Sequence, residues 1–215
     1  MDFKKLVSLN IAIVGETEAA EMYARAFTSA GHVVHMACSE DETRLQKAVP
    51  DIYGNINYTT ISEAASMSDF ILLATTPKDV REASYWLGDV RRKVIVDVTA
   101  NVHAPDSEQV RTVCAIKAIT GSEHVIKVFH TSGYESILQP LFNGARVDML
   151  LLSDSKKAKE ITRIMAIEIG AKYFYDFGGS ENIPLFNEMT RVWRKLYIAQ
   201  HPQRVQTNDN NIARM

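Results

Sequence analysis

The stretch Leu9-Asn10-Ile11-Ala12-Ile13-Val14-Gly15-Glu16-Thr17-Glu18-Ala19-Ala20 decides the fold. A short, almost unbroken apolar run of strand length stops at Gly15, and a helix start follows at once. Thr17 is a good N-cap residue, with Glu18 and Glu21 placed to face the positive end of the helix. Helical periodicity then carries from Thr17 to Ala30 and closes at Gly31.

The same alternation continues outward. Val33 to Cys38 reads as a second strand, Asp41 to Val49 as a short helix stopped by Pro50, and Asn55 to Thr60 as a weak strand before a helical turn at Ser62 to Met67. Phe70 to Thr75 and Lys93 to Val98 are strong apolar strands flanking a helix near Lys78 to Leu87. A helix over Ser107 to Ile119, strands at Val125 to Phe129, Val147 to Leu152 and Lys172 to Phe177, and helices at Ser155 to Ile169 and Glu188 to Gln200 complete the pattern. Strands alternating with helices predict an α/β fold, a doubly wound and mostly parallel sheet covered on both faces, because right-handed crossovers put helices there. No repeat or linker interrupts residues 1–200, which are expected to form one domain. Residues 201–215 are polar and read as a flexible tail.

Composition narrows the function classes. The 215 residues are 46% hydrophobic and 23% charged, enough apolar material for a core without disulfides or a structural metal. A net charge of -2 provides no bulk positive field for nucleic acid or anionic membrane. The longest apolar runs fall far short of the roughly 20 residues that span a bilayer. Met1-Asp2-Phe3-Lys4-Lys5 leads straight into a strand rather than a secretory h-region. Cys38 and Cys114 make no CxxC or zinc pattern and read as small buried residues, so a reducing, cytoplasmic setting is expected.

The first turn also sits where a dinucleotide fingerprint belongs. In Gly-x-Gly-x-x-Gly/Ala the first glycine makes the turn, the second lets a pyrophosphate approach, and the third packs helix on strand. Gly15 and Ala20 fit the first and third positions, while Thr17 puts a side chain at the second. Taken with Ile71 to Pro77, Val94 to Asn101, Val125 to Gly133, and the run from Val147 through the last helix, this segment resembles the deazaflavin-dependent NADP oxidoreductase family. Relatives of that family include the cytosolic domains of six-transmembrane epithelial antigen metalloreductases.

The resemblance covers roughly residues 9–200. It implies a Rossmann-like NAD(P)-binding fold, NADP(H) across the carboxyl edge of the sheet, a flavin or deazaflavin nearby, and hydride transfer between the two rings. It assigns the dinucleotide to Gly15, Glu16, Thr17, Ala20 and Ser39. The nicotinamide and its ribose fall beside Thr75, Thr76, Pro77, Thr99 and Asn101, and the deazaflavin pocket beside His130 and Thr131. No general acid or base stands out, and ring-to-ring hydride transfer requires apposition more than proton transfer. A hydroxy-acid dehydrogenase would need a second helical domain for which this chain is too short.

Two departures oppose the usual cofactor. Glu16 and Glu18 flank Thr17 where phosphate normally meets the helix dipole. After strand two, Cys38-Ser39-Glu40-Asp41-Glu42 replaces a Ser-Arg-type pair, with Arg44 the nearby cation. This favours NAD over NADP, because a carboxylate accepts from a ribose 2′-OH and repels a 2′-phosphate. Each feature also has a plain structural reading. Thr17 is a helix cap, the acids after strand two are a solvated helix start, Thr76 caps the next helix with Pro77 at N1, and His130 is a satisfied strand-end side chain. Trp193 with Leu185, Met189, Leu196 and Tyr197 at helical spacing reads as packing or a homodimer seam. A non-catalytic binding or regulatory module with a degenerate phosphate site is therefore the alternative to an oxidoreductase acting on a small-molecule redox partner.

Overall fold

The computed structural model describes residues 8–38, 56–99, 112–130 and 148–200. In chain order these form β1 (Asn10–Val14), α1 (Glu18–Ser29), β2 (Val33–Ala37), β3 (Ile56–Tyr58), α2 (Ile61–Met67), β4 (Phe70–Leu73), α3 (Val80–Trp86) and β5 (Val94–Asp97). There follow α4 (Thr112–Thr120), β6 (Val125–His130), β7 (Asp148–Leu152), α5 (Lys156–Glu168), β8 (Tyr173–Asp176) and α6 (Ile183–Gln200). The strands make a single eight-stranded sheet in the order β3-β2-β1-β4-β5-β6-β7-β8. Its pairs are parallel except β6–β7, where Lys127 faces Leu152 and His130 faces Met149 in antiparallel register. The helix expected over Asp41 to Val49 and the polar tail 201–215 lie outside the described residues.

Period-two alternation divides the strands between two apolar layers. Ile11, Ile13, Val34, Met36, Phe70, Leu72, Val94 and Val96 point to one face, where Ala20, Tyr23, Ala24 and Phe27 of α1 and Ala158, Met165 and Ala166 of α5 cover them. Ala12, Val14, Ile71, Leu73 and Ile95 point to the other, beneath Ile61 and Ala64 of α2, Val80 and Ala83 of α3, and Val113 and Ile116 of α4. The sheet is thus doubly wound. A smaller cluster of Leu150, Leu152 and Phe186 seats α6 at the far end. Among the described residues no helix is long and apolar enough to cross a membrane.

Three expectations are corrected here. The last helix starts at Ile183 rather than Glu188: a 3-10 turn over Ser180–Asn182 feeds into it, and Pro184 is tolerated because first-turn N–H groups have no intrahelical acceptor. Thr76 does not cap α3. The N-cap is Asp79, the Thr76 hydroxyl donates to Asp79 Oδ2 at 2.6 Å, and it is the Thr76 carbonyl that accepts the N–H groups of Asp79 and Val80. Cys114 is exposed, since Val113, Ile116 and Thr120 take the sheet-facing positions of α4 and leave 114 on the outer side; Cys38 is half-buried. Along α6, Leu185 and Leu196 are exposed while Met189 packs against the Phe186 cluster.

His32 joins distant parts of the fold. Its Nδ1 accepts the Leu9 N–H at 3.3 Å, so the proton sits on Nε2, which donates to Glu168 Oε2 at 2.6 Å. Phe27 anchors this corner, 2% exposed, with its ring 5.9 Å from His32, 6.1 Å from Tyr23 and 6.1 Å from Phe70. Phe27→Ala should therefore cost about 3–5 kcal/mol, the range for emptying an aromatic site in a packed core. Urea unfolding of the parent and variant measures the difference.

Candidate functional site

The carboxyl edge of the sheet is built where β1 and β4 diverge to opposite sides of the strand order. Ladder bonding continues past the strands: the Gly15 N–H donates to the Ala37 carbonyl at 2.8 Å, Ala74 N–H to Val14 at 2.8 Å, and Val98 N–H to Leu73 at 3.0 Å. Gly15 has φ +141°, and a Cβ built on it would stand 2.3 Å from the Ala74 carbonyl oxygen. The glycine is thus dictated by the approach of β4, independently of any ligand. Thr17, the N-cap of α1, accepts the Ala20 N–H at 3.2 Å and donates its hydroxyl proton to the Ala74 carbonyl at 2.6 Å. At this second fingerprint position a Cβ and a hydroxyl are expected to crowd a phosphate, and of the two the structure settles the direction of the hydroxyl. It is turned inward and tied to β4. Ala20 is fully buried between helix and sheet, as the third fingerprint position requires. Glu16 and Glu18 are exposed at the helix start.

Thr75 and Thr99 end β4 and β5 side by side. Both are buried, with hydroxyl oxygens 3.4 Å apart, and Thr99 Oγ1 lies 3.5 Å from the Leu73 carbonyl. Thr76 and Pro77 continue from Thr75 into the turn before α3. Ser39, Asn101 and Thr131 lie outside the described residues, as do the acids after β2.

His130 closes β6 on the α1 side of the sheet. It is 8% exposed, and its Nε2 is hydrogen-bonded to the Tyr23 hydroxyl of α1. Burial holds the imidazole down at a pKa of about 4 and pushes the Tyr23 phenol well above its ordinary value. Both groups are neutral at pH 7.

Two residues of this edge escape the motif-based reading. Asp97, with no exposed surface, faces Lys127 across the β5–β6 register, and its Oδ1 lies 3.0 Å from Lys127 Nζ. Lys127 Nζ also donates to the Thr99 carbonyl at 2.6 Å, and Asp97 accepts from the Thr99 N–H and the Thr112 hydroxyl. An acid and a base interrupting two neighbouring apolar runs, Val94 to Val98 and Val125 to Phe129, were the available signal, because a buried charge needs a partner.

A broad depression of about 620 Å3 lies at the opposite end of β6, lined by Lys117, His124, Asp154 and Lys156 among others. Lys117 is paired there with Asp154, and Lys157 donates to the Arg92 carbonyl. It is at the opposite end of the sheet from Thr75, Thr99 and His130.

Sheet order, switch point and Gly15 turn define a doubly wound, Rossmann-like fold. Residues 10–101 match the family described as NADP oxidoreductase, coenzyme F420-dependent, a match that runs from β1 to just past β5. Among solved structures, the chain is similar to a candidate F420-dependent NADP reductase from Arthrobacter sp. FB24, with 16% identity, TM-score 0.75, and 90% of this chain matched to 95% of that one. It is also similar to an imine reductase variant from Myxococcus stipitatus in complex with NAD+, at 15% identity and TM-score 0.60, covering 91% of this chain and 64% of that one. A pyrroline carboxylate reductase from Plasmodium falciparum with NADP bound shares 10% identity at TM-score 0.57, over 93% of this chain and 70% of that one. No curated protein matches the chain. The fold is shared with these proteins over at least 90% of this chain.

The burial of His130 has a measurable consequence. Between its ordinary value of 6.5 and the folded value of about 4, the unfolded chain takes up a proton that the folded protein refuses. Stability should thus be full above pH 6.5 and fall by roughly 3 kcal/mol as pH drops to 4, then level off for this group. His35, also held down by burial, adds to the slope in the same direction. Denaturant titrations across this window should show a shallower decline for His130→Asn than for the parent.

Proposed function

We propose that the protein is an NAD(P)-dependent oxidoreductase that passes hydride between a nicotinamide and a flavin or deazaflavin. One observation carries the reading: the β1–β4 switch point lies at the N-terminus of α1, where open α/β sheets take their ligands, and Thr75 and Thr99 continue that edge. The groups present fit a dinucleotide. The Thr17 hydroxyl is turned to the Ala74 carbonyl, and a pyrophosphate would meet the start of α1. When bound, the nicotinamide supplies the hydride. The chain's part is to bind, to orient, and to keep the surroundings neutral through hydroxyls at Thr75 and Thr99 and an uncharged His130.

The acids after β2 support NADH over NADPH, since a carboxylate accepts from the ribose hydroxyl. The small-molecule electron acceptor, a cytoplasmic setting and a homodimer through α6 belong to the same reading. The second reading, a binding module without catalysis, draws on the exposed carboxylates of Glu16 and Glu18, which compete with phosphate for the positive end of α1.

Titration with NADH and NADPH decides between them. A ligand bound only to the native state raises the melting temperature, equivalent to about 2.7 kcal/mol at a hundred times Kd. The expected result is a shift with NADH, a smaller one with NADPH, and oxidation of NADH when flavin or deazaflavin is added. No shift at millimolar nucleotide would favour the binding module. In addition, Glu16→Gln combined with Glu18→Gln should tighten NADH by about tenfold at low salt, the gain shrinking as salt screens the parent's repulsion. Thr17 is left intact in this variant because its hydroxyl anchors α1 to β4.

A further inference from the structure

The ion pair of Asp97 and Lys127 does more than neutralise itself. Beyond the end of β5, Thr99 has left the ladder, yet both of its backbone polar groups are held by charge. Its N–H donates to Asp97 Oδ1 at 2.9 Å, and its carbonyl accepts from Lys127 Nζ at 2.6 Å. The second carboxylate oxygen accepts from the Thr112 hydroxyl of α4, so the acid is itself fixed from the helix side. The lysine side chain is 14% exposed and the aspartate not at all.

Stability alone explains this arrangement poorly. Desolvating two charges offsets most of their attraction, and apolar residues of the same volume usually serve a core as well. The neighbouring positions Val94, Ile95, Val96, Val125 and Ile126 are already apolar. An apolar pair cannot, however, grip an N–H and a carbonyl of one residue and thereby set the direction of its side chain. That side chain is the Thr99 hydroxyl, which meets Thr75 at 3.4 Å on the strand end next to the switch point.

We propose that Asp97 and Lys127 are positioning residues that hold the Thr99 hydroxyl beside Thr75 as a fixed, uncharged wall for the nicotinamide half of the dinucleotide. The proposal rests on the dinucleotide reading above. With the pyrophosphate at α1 and the adenosine half directed toward β2, the remaining half extends over the ends of β4 and β5. Two neutral hydroxyls suit the polar, uncharged carboxamide and ribose found there. The paired charges beneath contribute rigidity without a net charge beside the ring.

The test compares NADH, reduced nicotinamide mononucleotide and ADP-ribose as ligands by calorimetry. The variants are Asp97→Asn combined with Lys127→Met, which removes both charges together, and Thr99→Val, which leaves the pair in place. Both variants should bind NADH and the mononucleotide about tenfold more weakly, the scale of one lost hydrogen bond to ligand, and bind ADP-ribose as the parent does. A folded double variant with the parent's NADH affinity overturns the proposal. Equal weakening of ADP-ribose also overturns it, since that marks general loosening. Should circular dichroism show the double variant unfolded, Thr99→Val decides alone: unchanged mononucleotide binding sinks the proposal. A parent that binds no NADH removes the dinucleotide reading and this proposal with it, which separates that failure from the others.

Discussion

Between the exits of β1 and β4 the two backbones come closer than a side chain permits. Any Cβ at position 15 would meet the Ala74 carbonyl at 2.3 Å, so the turn out of β1 must be glycine. Thr17 then binds the same carbonyl through its hydroxyl and caps α1 with its lone pair. One carbonyl on β4 therefore fixes where the first strand ends, where the first helix begins, and which way that helix leaves. Everything at the carboxyl edge is placed relative to this point.

The two sides of the edge are built from different physics. On the α1 side, Tyr23 and His130 are buried with a shared hydrogen bond, and desolvation keeps both uncharged. On the α4 side, Asp97 and Lys127 remain a charged pair, offset by close geometry and by bonds to Thr99 and Thr112. Between them the threonine hydroxyls offer polarity without charge. The strand ends thus carry neutral hydroxyls between a neutral buried pair and a charged buried one.

Most of the fold was legible because parallel strands buried on both faces are short apolar runs, and Phe70 to Leu73 or Val94 to Val96 admit few other readings. The N-cap role of Thr17 was also legible, being local chemistry. What local chemistry could not show was the direction of its hydroxyl, which depends on a carbonyl 57 residues away. The start of α6 was missed because Pro184 looks like a terminator unless the 3-10 turn before it is known. Thr76 misled for a related reason, since a carbonyl rather than a hydroxyl organises the turn into α3. Asp97 and Lys127 fit no motif. They become a pair only through the β5–β6 register, which pairs residues in the fold and not in the sequence.

The His32 bridge has a kinetic side. Its ring takes the Leu9 amide on one nitrogen and gives a proton to Glu168, 136 residues away, with the other. Closing a loop of that length carries an entropic cost that shorter strand pairings avoid, the kind of contact expected to form late. Interactions formed after the transition state leave the folding rate nearly unchanged and slow the reverse reaction. A bridge formed that late would act as a latch on the finished molecule. It would lengthen the life of the native state by tying the residue before β1 to the last residue of α5, so that neither opens readily without the other.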